Sequence, residues 1–314
     1  MRYRGYGGPE QIEAAEVPVP RPGPAQVLVR VAASSVNPVD WKLHDGRYRW
    51  IMPVRFPSIP GFDIAGEVIE AGVQVARFKP GDRIFAMADS RPGGASAEYA
   101  VVGERAAAFM PAKLSAREAA VVPLAGLTAL QALRDLGRVA AGMHVLIIGA
   151  AGGVGHLALQ IARHYGADVA AVCSGRNADM VSGLGASRVF DYAKESDFRG
   201  SQPYDIVLDL AVRAPVRALL PLLAKDGICV SMLPSPGRVA ASILLPIGSK
   251  RRVHSVSVKP GGEDLEELRA LCDAGKLRPV IGRVFKLEEL AAAHASSRQG
   301  AVAGKIAIEI LAGG

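Results

Sequence analysis

The sequence predicts an α/β protein that combines a doubly wound parallel sheet with a second, smaller, β-rich domain. The chain has 314 residues, more than one ordinary hydrophobic core accommodates, so two domains are expected. Short strand-like segments separated by Gly and Pro make up the first hundred residues, which is typical of a small barrel or sandwich. Strand-like and helix-like segments alternate from about residue 115 to residue 232, which is typical of βαβ units.

The individual elements follow from local patterns. In the first domain, apolar segments that follow Gly or Pro predict strands at residues 26–32, 64–71, 82–86 and 97–102. Ser115 and Glu118 have the spacing of a capping box and predict a helix start. The alternating region predicts strands at residues 144–149, 168–172, 187–190, 204–210 and 227–232, with helices at 154–165 and 215–223.

The tail has a different pattern. Residues 263–274 predict a helix, but residues 280–285 and 305–311 have the sequence of strands. We therefore expect the tail to rejoin the first domain, giving one domain of residues 1–119 and 253–314 and another of residues 120–252.

Composition excludes several classes of protein. Half of the residues are apolar, so the chain is able to bury a core and is not disordered. No apolar run approaches the ~20 residues of a membrane span, and the first residues do not resemble a signal peptide. The wide spacing of Cys173, Cys229 and Cys272 argues against disulfides or a zinc knot. Cys173 and Cys229 lie in apolar runs and are expected to be buried and inert. We expect a cytoplasmic protein without a membrane partner.

The charge balance is basic but without a nucleic-acid motif. The chain has 37 basic and 30 acidic residues, a net charge of +7, and its densest basic group is Lys250, Arg251 and Arg252. A nucleic-acid interface would require a basic stripe or a recognition motif, so we expect no nucleic-acid partner. A basic surface that attracts an anionic cofactor explains the balance.

A glycine-rich turn at residues 149–155 is the most informative segment. The apolar strand before it runs directly into the turn, and the helix after it has apolar residues at a helical spacing. Glycines allow the backbone to approach a pyrophosphate, whose charge is stabilised by the N–H groups and dipole of the helix N-terminus. The alternative is an ordinary βα turn, but strand, turn and helix together favour a dinucleotide site.

The end of the next strand indicates which dinucleotide is preferred. A ribose 2′-hydroxyl is usually held by Asp or Glu at this position, but Asp168 lies at the opposite end of the strand. Ser174 offers a hydroxyl, and Arg176 offers a guanidinium that suits a 2′-phosphate. The alternative is a solvent-facing arginine. We predict NADPH as the cofactor.

Several motifs together resemble the medium-chain dehydrogenase/reductase superfamily and, within it, the quinone oxidoreductase branch. The resemblance covers nearly the whole chain. Its motifs are SVNPVDW at residues 35–41, PGFDIAGEV at 60–68, GLTAL at 126–130, AAGGVG at 150–155, VFDY at 189–192, GKL at 275–277 and GK at 304–305. It implies a GroES-like domain, a Rossmann domain and a homodimer. Zinc-dependent relatives have metal ligands where this chain has Asn37 and Phe62, so the resemblance implies a zinc-independent protein.

The resemblance also implies the site residues. Asn37 and Thr128 are expected near the nicotinamide of the cofactor, with Asn37 a candidate catalytic residue. The pyrophosphate is expected at Ala151, Gly152, Gly153 and Val154, and the 2′-phosphate and adenine at Ser174, Arg176 and Tyr192.

Tyr48 is a candidate proton donor. In related enoyl-thioester reductases a proposed proton-donating Tyr follows the corresponding Asn by eleven residues, and Tyr48 has this offset from Asn37. The alternative is an aromatic pocket wall shared with Trp41 and Trp50. Asp40 is expected to cap the following helix and Asp63 to hold backbone.

The sequence thus predicts an NADPH-dependent, zinc-independent oxidoreductase that reduces a quinone or an α,β-unsaturated carbonyl. Such conjugated acceptors spread the incoming charge over their own oxygen, so hydride transfer needs no metal. One alternative is an enoyl-thioester reductase, for which Arg47, Arg49 and Arg55 would form a basic entry groove. The other is a non-catalytic NADPH-binding sensor or structural protein. Substrate specificity is expected in the loops at residues 47–57 and 233–249.

Overall fold

The computed structural model describes residues 1–50, 52–90, 92–232 and 250–311. The chain divides into two units. Unit 1 comprises Met1–Leu127, Pro260–Gly275 and the chain from residue 279 onward, and unit 2 comprises Thr128–Lys259 and Lys276–Arg278. Both boundaries lie later in the chain than the positions expected from the sequence, and the specificity loop expected at residues 233–249 lies outside the described residues.

The helices and strands have the following bounds. The first part contains β1 (Arg2–Tyr3), β2 (Ile12–Glu13), β3 (Gln26–Val36), α1 (Pro38–His44), β4 (Asp63–Ala71), β5 (Arg83–Met87), β6 (Tyr99–Gly103), β7 (Ala107–Phe109), α2 (Ala116–Ala120) and α3 (Pro123–Leu130). The middle contains β8 (His144–Ile148), α4 (Gly155–His164), β9 (Asp168–Cys173), α5 (Ala178–Gly183), β10 (Arg188–Asp191), β11 (Tyr204–Asp209), α6 (Val216–Leu219), β12 (Leu223–Ser231) and β13 (Arg252–Ser255). The last part contains α7 (Gly262–Asp273), β14 (Ile281–Lys286), α8 (Leu290–Gln299) and β15 (Lys305–Glu309). Short 3-10 turns occupy Pro9–Gln11, Glu104–Ala106, Gly175–Asn177, Leu220–Leu222 and Leu287–Glu289, and a π-helical turn occupies Gln131–Leu136.

Unit 1 is built around a mostly antiparallel sheet. Its strands are ordered β14-β15-β3-β4-β5-β7. Strand β15 pairs with residues 33–36 of β3, and β6 pairs with residues 26–30 of the same strand. The long strand β3 has an apolar, buried face and runs opposite β4, where an added Cβ on Gly66 would lie 2.1 Å from the carbonyl oxygen of Arg30. Only glycine allows the two backbones to approach so closely. The tail supplies β14 and β15 to this sheet, so both ends of the chain contribute to one core.

Unit 2 is a parallel α/β unit. Its six described strands are all parallel and ordered β10-β9-β8-β11-β12-β13. The order reverses between β8 and β11, and ligands bind beside the carboxyl ends of strands at such a reversal. The strands are buried on both faces and are therefore apolar along their length, as in Val145, Leu146 and Ile147. The predicted fold class, a doubly wound parallel sheet beside a β-rich domain, is confirmed.

One predicted helix is shorter in the structure. The sequence predicts a helix at residues 215–223, but α6 ends at Leu219 and is followed by a 3-10 turn and by β12. Pro221 has no backbone N–H and clashes with the preceding helical turn, so the helix cannot continue through it. The predicted capping box of Ser115 and Glu118 is confirmed at the start of α2, and the three described cysteines are buried and form no disulfide with one another.

A buried aromatic contact joins the two ends of unit 1. The Tyr3 ring stacks on His44, with centroids 4.1 Å apart, and its hydroxyl lies 2.9 Å from Nδ1 of His294. Burial, together with the neighbouring charges of His44 and Arg298, lowers the pKa of His294 to about 3, so the ring is neutral near pH 7. The contact fixes helix α8 beside the first strand.

We predict that Tyr3→Phe destabilises unit 1. Among the described residues Nε2 of His294 has no partner, so removing the hydroxyl leaves both nitrogens of this buried ring without one. An unsatisfied buried polar group costs about 1–3 kcal/mol, and urea unfolding should show a loss of this order. Tyr192→Phe, on an exposed side chain of unit 2, is the control. Equal stability of Tyr3→Phe and wild type would contradict the prediction.

Candidate functional site

The carboxyl ends of the parallel strands gather the predicted cofactor residues of unit 2. In the sheet register Ile148 pairs with Val172 and with Asp209, and Cys173 pairs with Asp191. The strands β8, β9, β10 and β11 therefore end at the same edge. The segments that follow the first three contain the predicted phosphate-binding turn, Ser174 with Arg176, and Tyr192.

The turn after β8 has the geometry of a phosphate cradle. Gly149 has a φ of 88°, which only glycine adopts without strain, and its N–H donates to the carbonyl of Val172 at 3.0 Å. An added Cβ on Gly155 would lie 2.3 Å from the carbonyl oxygen of Gly149, so this glycine allows α4 to start directly against the strand end. The N–H of His156 in the first turn of α4 donates to the carbonyl of Gly152 at 3.2 Å, and the positive end of the helix dipole lies at this turn.

The segments after β9 and β10 present charged and aromatic side chains. Ser174 is half-buried and its Oγ accepts a hydrogen bond from Nδ2 of Asn177 at 3.0 Å. Arg176 is exposed, and Tyr192 is 52 % exposed with the guanidinium of Arg213 5.9 Å from its ring centroid. These residues lie on two adjacent strand ends, as a site for one end of a dinucleotide requires.

A carboxylate that the sequence analysis missed lies at the same edge. Asp191 ends β10, and its Oδ2 lies 2.5 Å from the position that a Cβ on Gly175 would occupy. Its Oδ1 accepts the N–H of Ala193 at 3.1 Å. In the sequence, a carboxylate was sought only at the end of β9, where there is no Asp or Glu. Asp191 was missed because it comes from the neighbouring strand β10. The edge therefore has both a cation and an anion, and the turn with its flanking residues fits a dinucleotide.

The remaining predicted residues lie in several places. Thr128 is buried in α3, the helix in which the chain passes from unit 1 to unit 2. Tyr48 is half-buried in the segment after α1, and its carbonyl accepts the N–H of Met52 at 2.7 Å. Asn37 immediately precedes α1, so Asn37 and Tyr48 flank the same helix.

The side-chain amide of Asn37 is part of a buried polar cluster. Its Nδ2 donates to Oδ2 of Asp63 at 2.7 Å, and its backbone N–H donates to Oδ2 of Asp40 at 2.6 Å. Asp40 was expected to cap a helix that follows it; it lies instead at the third position of α1, and the second contact caps the start of its own helix. Asn37, Asp40 and Asp63 are each at most 2 % exposed. The contacts of Asn37 with a cofactor stay a prediction.

Lys305 supplies the cation of this cluster, a role that the GK motif at residues 304–305 did not predict. Its Nζ donates to Oδ1 of Asn37 at 2.5 Å and lies 3.5 Å from Oδ2 of Asp63. The signal that would have identified it was a lysine directly before the apolar run Ile306–Ile308, at the position where β15 begins. Asp63 also accepts the hydroxyl of Ser35 and, through Oδ1, the N–H of Leu124.

Burial controls the protonation of the cluster. Desolvation raises the pKa of Asp40 to about 8, with a smaller contribution from Asp63 in the same direction, whereas the Asn37 N–H and Lys305 oppose the shift. Desolvation also lowers the pKa of Lys305, opposed by Asp63 and Asp40. Near neutral pH Asp40 is largely protonated, so the ammonium of Lys305 is balanced mainly by Asp63.

The donor set near Asn37 does not favour zinc. The positions at which zinc-dependent relatives have ligands hold an amide and the buried ring of Phe62. Within residues 1–50, 52–90, 92–232 and 250–311, no group of three or more His, Cys, Asp or Glu side chains has the arrangement of a metal site. Metal independence stays a prediction. No helix in the described part of the chain is long and apolar enough to cross a membrane.

Comparisons with known proteins agree with this arrangement. A family model described as "Alcohol dehydrogenase GroES-like domain" matches residues 23–112, and one described as "Zinc-binding dehydrogenase" matches residues 184–308. The chain is 38 % identical to the chloroplastic quinone oxidoreductase QR1 of Triphysaria versicolor, over 98 % of this chain and 97 % of that protein. It is 32 % identical to 2-methylene-furan-3-one reductase of Solanum lycopersicum, over 98 % of this chain and 77 % of that protein.

A solved structure is similar over the same length. Escherichia coli quinone oxidoreductase, determined in complex with NADPH, is 26 % identical with a TM-score of 0.86, and the match covers 98 % of each chain.

The names of three relatives overturn the expected cytoplasmic location, which is wrong. The relative from Triphysaria versicolor is named chloroplastic, and relatives from Arabidopsis thaliana and Spinacia oleracea also have chloroplast names. Composition and cysteine spacing indicate a folded chain with reduced thiols. Such a chain is compatible with more than one compartment, so these features did not specify the location.

A pair of alanine substitutions tests the glycine-rich turn. In Gly155→Ala the new Cβ would meet the backbone of Gly149 and Ala150 at 2.3 and 2.7 Å, so we expect lower thermal stability and weaker nucleotide binding. In Gly152→Ala the nearest atom, the Gly149 oxygen, is 3.3 Å away, so the fold should persist. If a pyrophosphate approaches this backbone, Gly152→Ala should still weaken NADPH binding by about tenfold or more, or about 1.4 kcal/mol. Fluorescence titration with unchanged NADPH affinity in Gly152→Ala would place the pyrophosphate elsewhere.

We predict that Asp40→Asn becomes more favourable relative to wild type as the pH rises from 5 to 8. The folded-state pKa of Asp40, about 8, exceeds its ordinary value of 3.8, so the folded protein retains a proton that the unfolded chain releases. The stability that this proton contributes is fully present below pH 3.8. It decreases as the pH rises from 3.8 and is lost once the pH has passed through the folded-state pKa of about 8. The difference between variant and wild type should change by at most about 1.4 kcal/mol per pH unit.

Urea unfolding of both proteins at pH 5, 6.5 and 8 measures this difference. Groups present in both proteins, including His44, His294 and Lys305, largely cancel in the comparison. A difference that does not vary with pH would contradict the prediction.

Proposed function

We propose a specific reaction for this chain, which belongs to the quinone oxidoreductase branch of the medium-chain dehydrogenase/reductase superfamily and is an NAD(P)H-dependent oxidoreductase. The reaction is NADPH-dependent, zinc-independent reduction of a quinone or of an α,β-unsaturated ketone or aldehyde. One observation carries the proposal: the chain matches a quinone oxidoreductase over 98 % of its length, and its sheet edge presents Ser174, Arg176 and Tyr192 beside the glycine-rich turn.

The enzymatic alternative is favoured over a non-catalytic one. The relatives matched over nearly the full chain are named as a quinone oxidoreductase and as a reductase of a methylene-furanone. Both names describe acceptors in which a carbonyl is conjugated with a further double bond. Such acceptors place the charge of an incoming hydride on oxygen, and we propose this class as the substrate.

Each part of the binding machinery has a physical task. When bound, NADPH supplies the hydride. The N–H groups of Ala150 and Gly152 already donate to the carbonyls of Val172 and Gly149, so we assign the pyrophosphate to the N–H groups of Gly153 and Val154 and to the helix dipole. Ser174 and Arg176 hold a 2′-phosphate. In unit 1, Asn37 and the Tyr48 hydroxyl are the groups that we assign to the reacting end. A phenol donates a hydrogen bond, or its proton, to an oxygen that becomes an enolate.

A steady-state assay of NADPH oxidation against quinones, enones and enals tests the proposal. Turnover with at least one of these acceptors, by protein freed of metal with a chelator, is the expected result. NADPH binding without turnover on any acceptor, or activity that zinc restores after chelation, would contradict it.

Cofactor preference should depend on Arg176. A hydrogen bond to a charged group contributes about 1.5–3 kcal/mol, so wild type should prefer NADPH over NADH in kcat/KM by about 10- to 150-fold. Arg176→Ala should remove most of this preference by weakening NADPH alone. Asp191→Asn is the matched control because it removes the anion at the same edge and should keep or increase the preference. Equal use of both cofactors by wild type would refute the assignment of Arg176.

Tyr48→Phe should separate the two acceptor classes. A reduced quinone takes its protons from water, whereas an enolate gains from a positioned donor, so kcat on enones should fall more than kcat on quinones. Positioned proton donors contribute about 10² or more in rate, and a fall of up to about 10²-fold on enones is expected. Unchanged kinetics on every acceptor would make Tyr48 a wall residue.

A further inference from the structure

Lys305 is buried to a degree that is unusual for a lysine. Its side chain is 3 % exposed, and its ammonium contacts the carbonyl oxygen of Val36 at 3.3 Å, Oδ1 of Asn37 at 2.5 Å and Oδ2 of Asp63 at 3.5 Å. Lysines are almost never fully buried unless they are paired, because the desolvation of the charge is costly. The cluster therefore contains a cation that the fold retains at a cost.

We propose that Lys305 is a positioning residue for hydride transfer, an inference that rests on the proposed function. Its ammonium fixes the orientation of the Asn37 side-chain amide and, through Asp63, the first turn of α3, which is the helix that contains Thr128. Asn37 is the residue of unit 1 that we assign to the nicotinamide end, and one buried cation orders both its amide and the start of α3.

The amide of Asn37 has only one favourable orientation in this cluster. An ammonium has donors and no acceptor, so the atom facing Lys305 must be Oδ1. A carboxylate has acceptors and no donor, so the atom facing Asp63 must be Nδ2. A flipped amide would place its NH2 against the ammonium and its oxygen against the carboxylate, and would lose two charge-assisted hydrogen bonds.

Asp63 transmits the same constraint to α3. Its Oδ2 accepts from Ser35 and Asn37, while its Oδ1 accepts the N–H of Leu124 at 2.7 Å. Leu124 lies in the first turn of α3, where backbone N–H groups have no acceptor within the helix. Thr128 follows one helical turn later. The carboxylate that Lys305 neutralises is therefore also the group that fixes the helix start.

Two variants separate this positioning role from a purely structural ion pair. Lys305→Met leaves the buried carboxylate of Asp63 without its cation and should lower stability. Lys305→Met/Asp63→Asn removes both charges and should recover most of that stability. In the double variant the amide at position 63 has a single oxygen, and the N–H of Leu124 requires it as an acceptor. The NH2 of this amide then faces Asn37, so the Asn37 amide must rotate by about 180° to present its oxygen.

The expected result is a split between stability and turnover. The double variant should unfold close to the wild-type temperature and bind NADPH with close to wild-type Kd, yet kcat should remain about 10- to 10²-fold lower because the reacting groups are misplaced. The primary deuterium isotope effect on kcat, measured with NADPH deuterated at the transferred position, should rise. Lys113→Met, on an exposed lysine of unit 1, is the matched control and should change nothing.

Each contrary outcome has a distinct meaning. Wild-type kcat and isotope effect in the double variant would overturn the positioning role and leave a structural ion pair.

Absence of turnover in wild-type protein on every acceptor would overturn the proposed function. In that case NMR tests whether Lys305 orients the Asn37 amide. The side-chain amide resonances of Asn37, assigned by their loss in Asn37→Asp, should shift in Lys305→Met and in the double variant. Unchanged resonances would show that Lys305 does not orient the amide.

Discussion

The buried carboxylate of Asp63 is the interaction on which unit 1 depends. It is fully buried and accepts hydrogen bonds from Ser35 at the end of β3, from Asn37 before α1 and from Leu124 at the start of α3, with Lys305 of β15 beside it. These segments come from positions 35 to 305 of the chain. A buried carboxylate is tolerated only when donors and a cation compensate its lost hydration, so the four segments must meet for the charge to be stable. The tail and the first domain are joined by this requirement as well as by the pairing of β15 with β3.

In unit 2 the equivalent constraint is the parallel sheet. Parallel strands direct all their carboxyl ends to one edge, so residues separated in sequence, such as Gly149, Ser174 and Tyr192, gather there. The glycines of the turn are required because they have no Cβ atom. Gly149 adopts a left-handed conformation, and Gly155 allows the helix to begin against the backbone of the strand end. A helix N-terminus that follows a glycine-rich turn at a strand end is an arrangement with which proteins commonly bind anions.

Charged side chains connect the fold with the proposed chemistry in two places: at the strand ends of unit 2 and in the buried cluster of unit 1. Arg176 follows β9 and Asp191 ends the neighbouring strand β10, so side chains of opposite charge lie at adjacent strand ends. In the cluster, burial leaves Asp40 largely protonated near neutral pH, and one ammonium then faces one carboxylate. The amide of Asn37 is held between these two charges. A fixed cation in the fold thus contacts Asn37, the position at which the sequence resemblance implies a metal ligand in zinc-dependent relatives.

The sequence by itself determined the fold class, the glycine-rich turn and the side chains that follow β9 and β10. Each of these is a local pattern: the period of apolar residues, a run of glycines after a strand, and a basic residue at a fixed distance beyond it. The end of α6 at Leu219 was also encoded locally, by Pro221, although the apolar pattern around it predicted a longer helix. Only the tertiary structure decided what depends on contacts between distant segments. Asp191 reaches the cofactor edge from an adjacent strand, and Lys305 meets Asn37 from a distance of 268 residues along the chain. The desolvation that shifts the pKa of Asp40 likewise exists only in the folded state, because burial is a property of the assembled core and of no single segment.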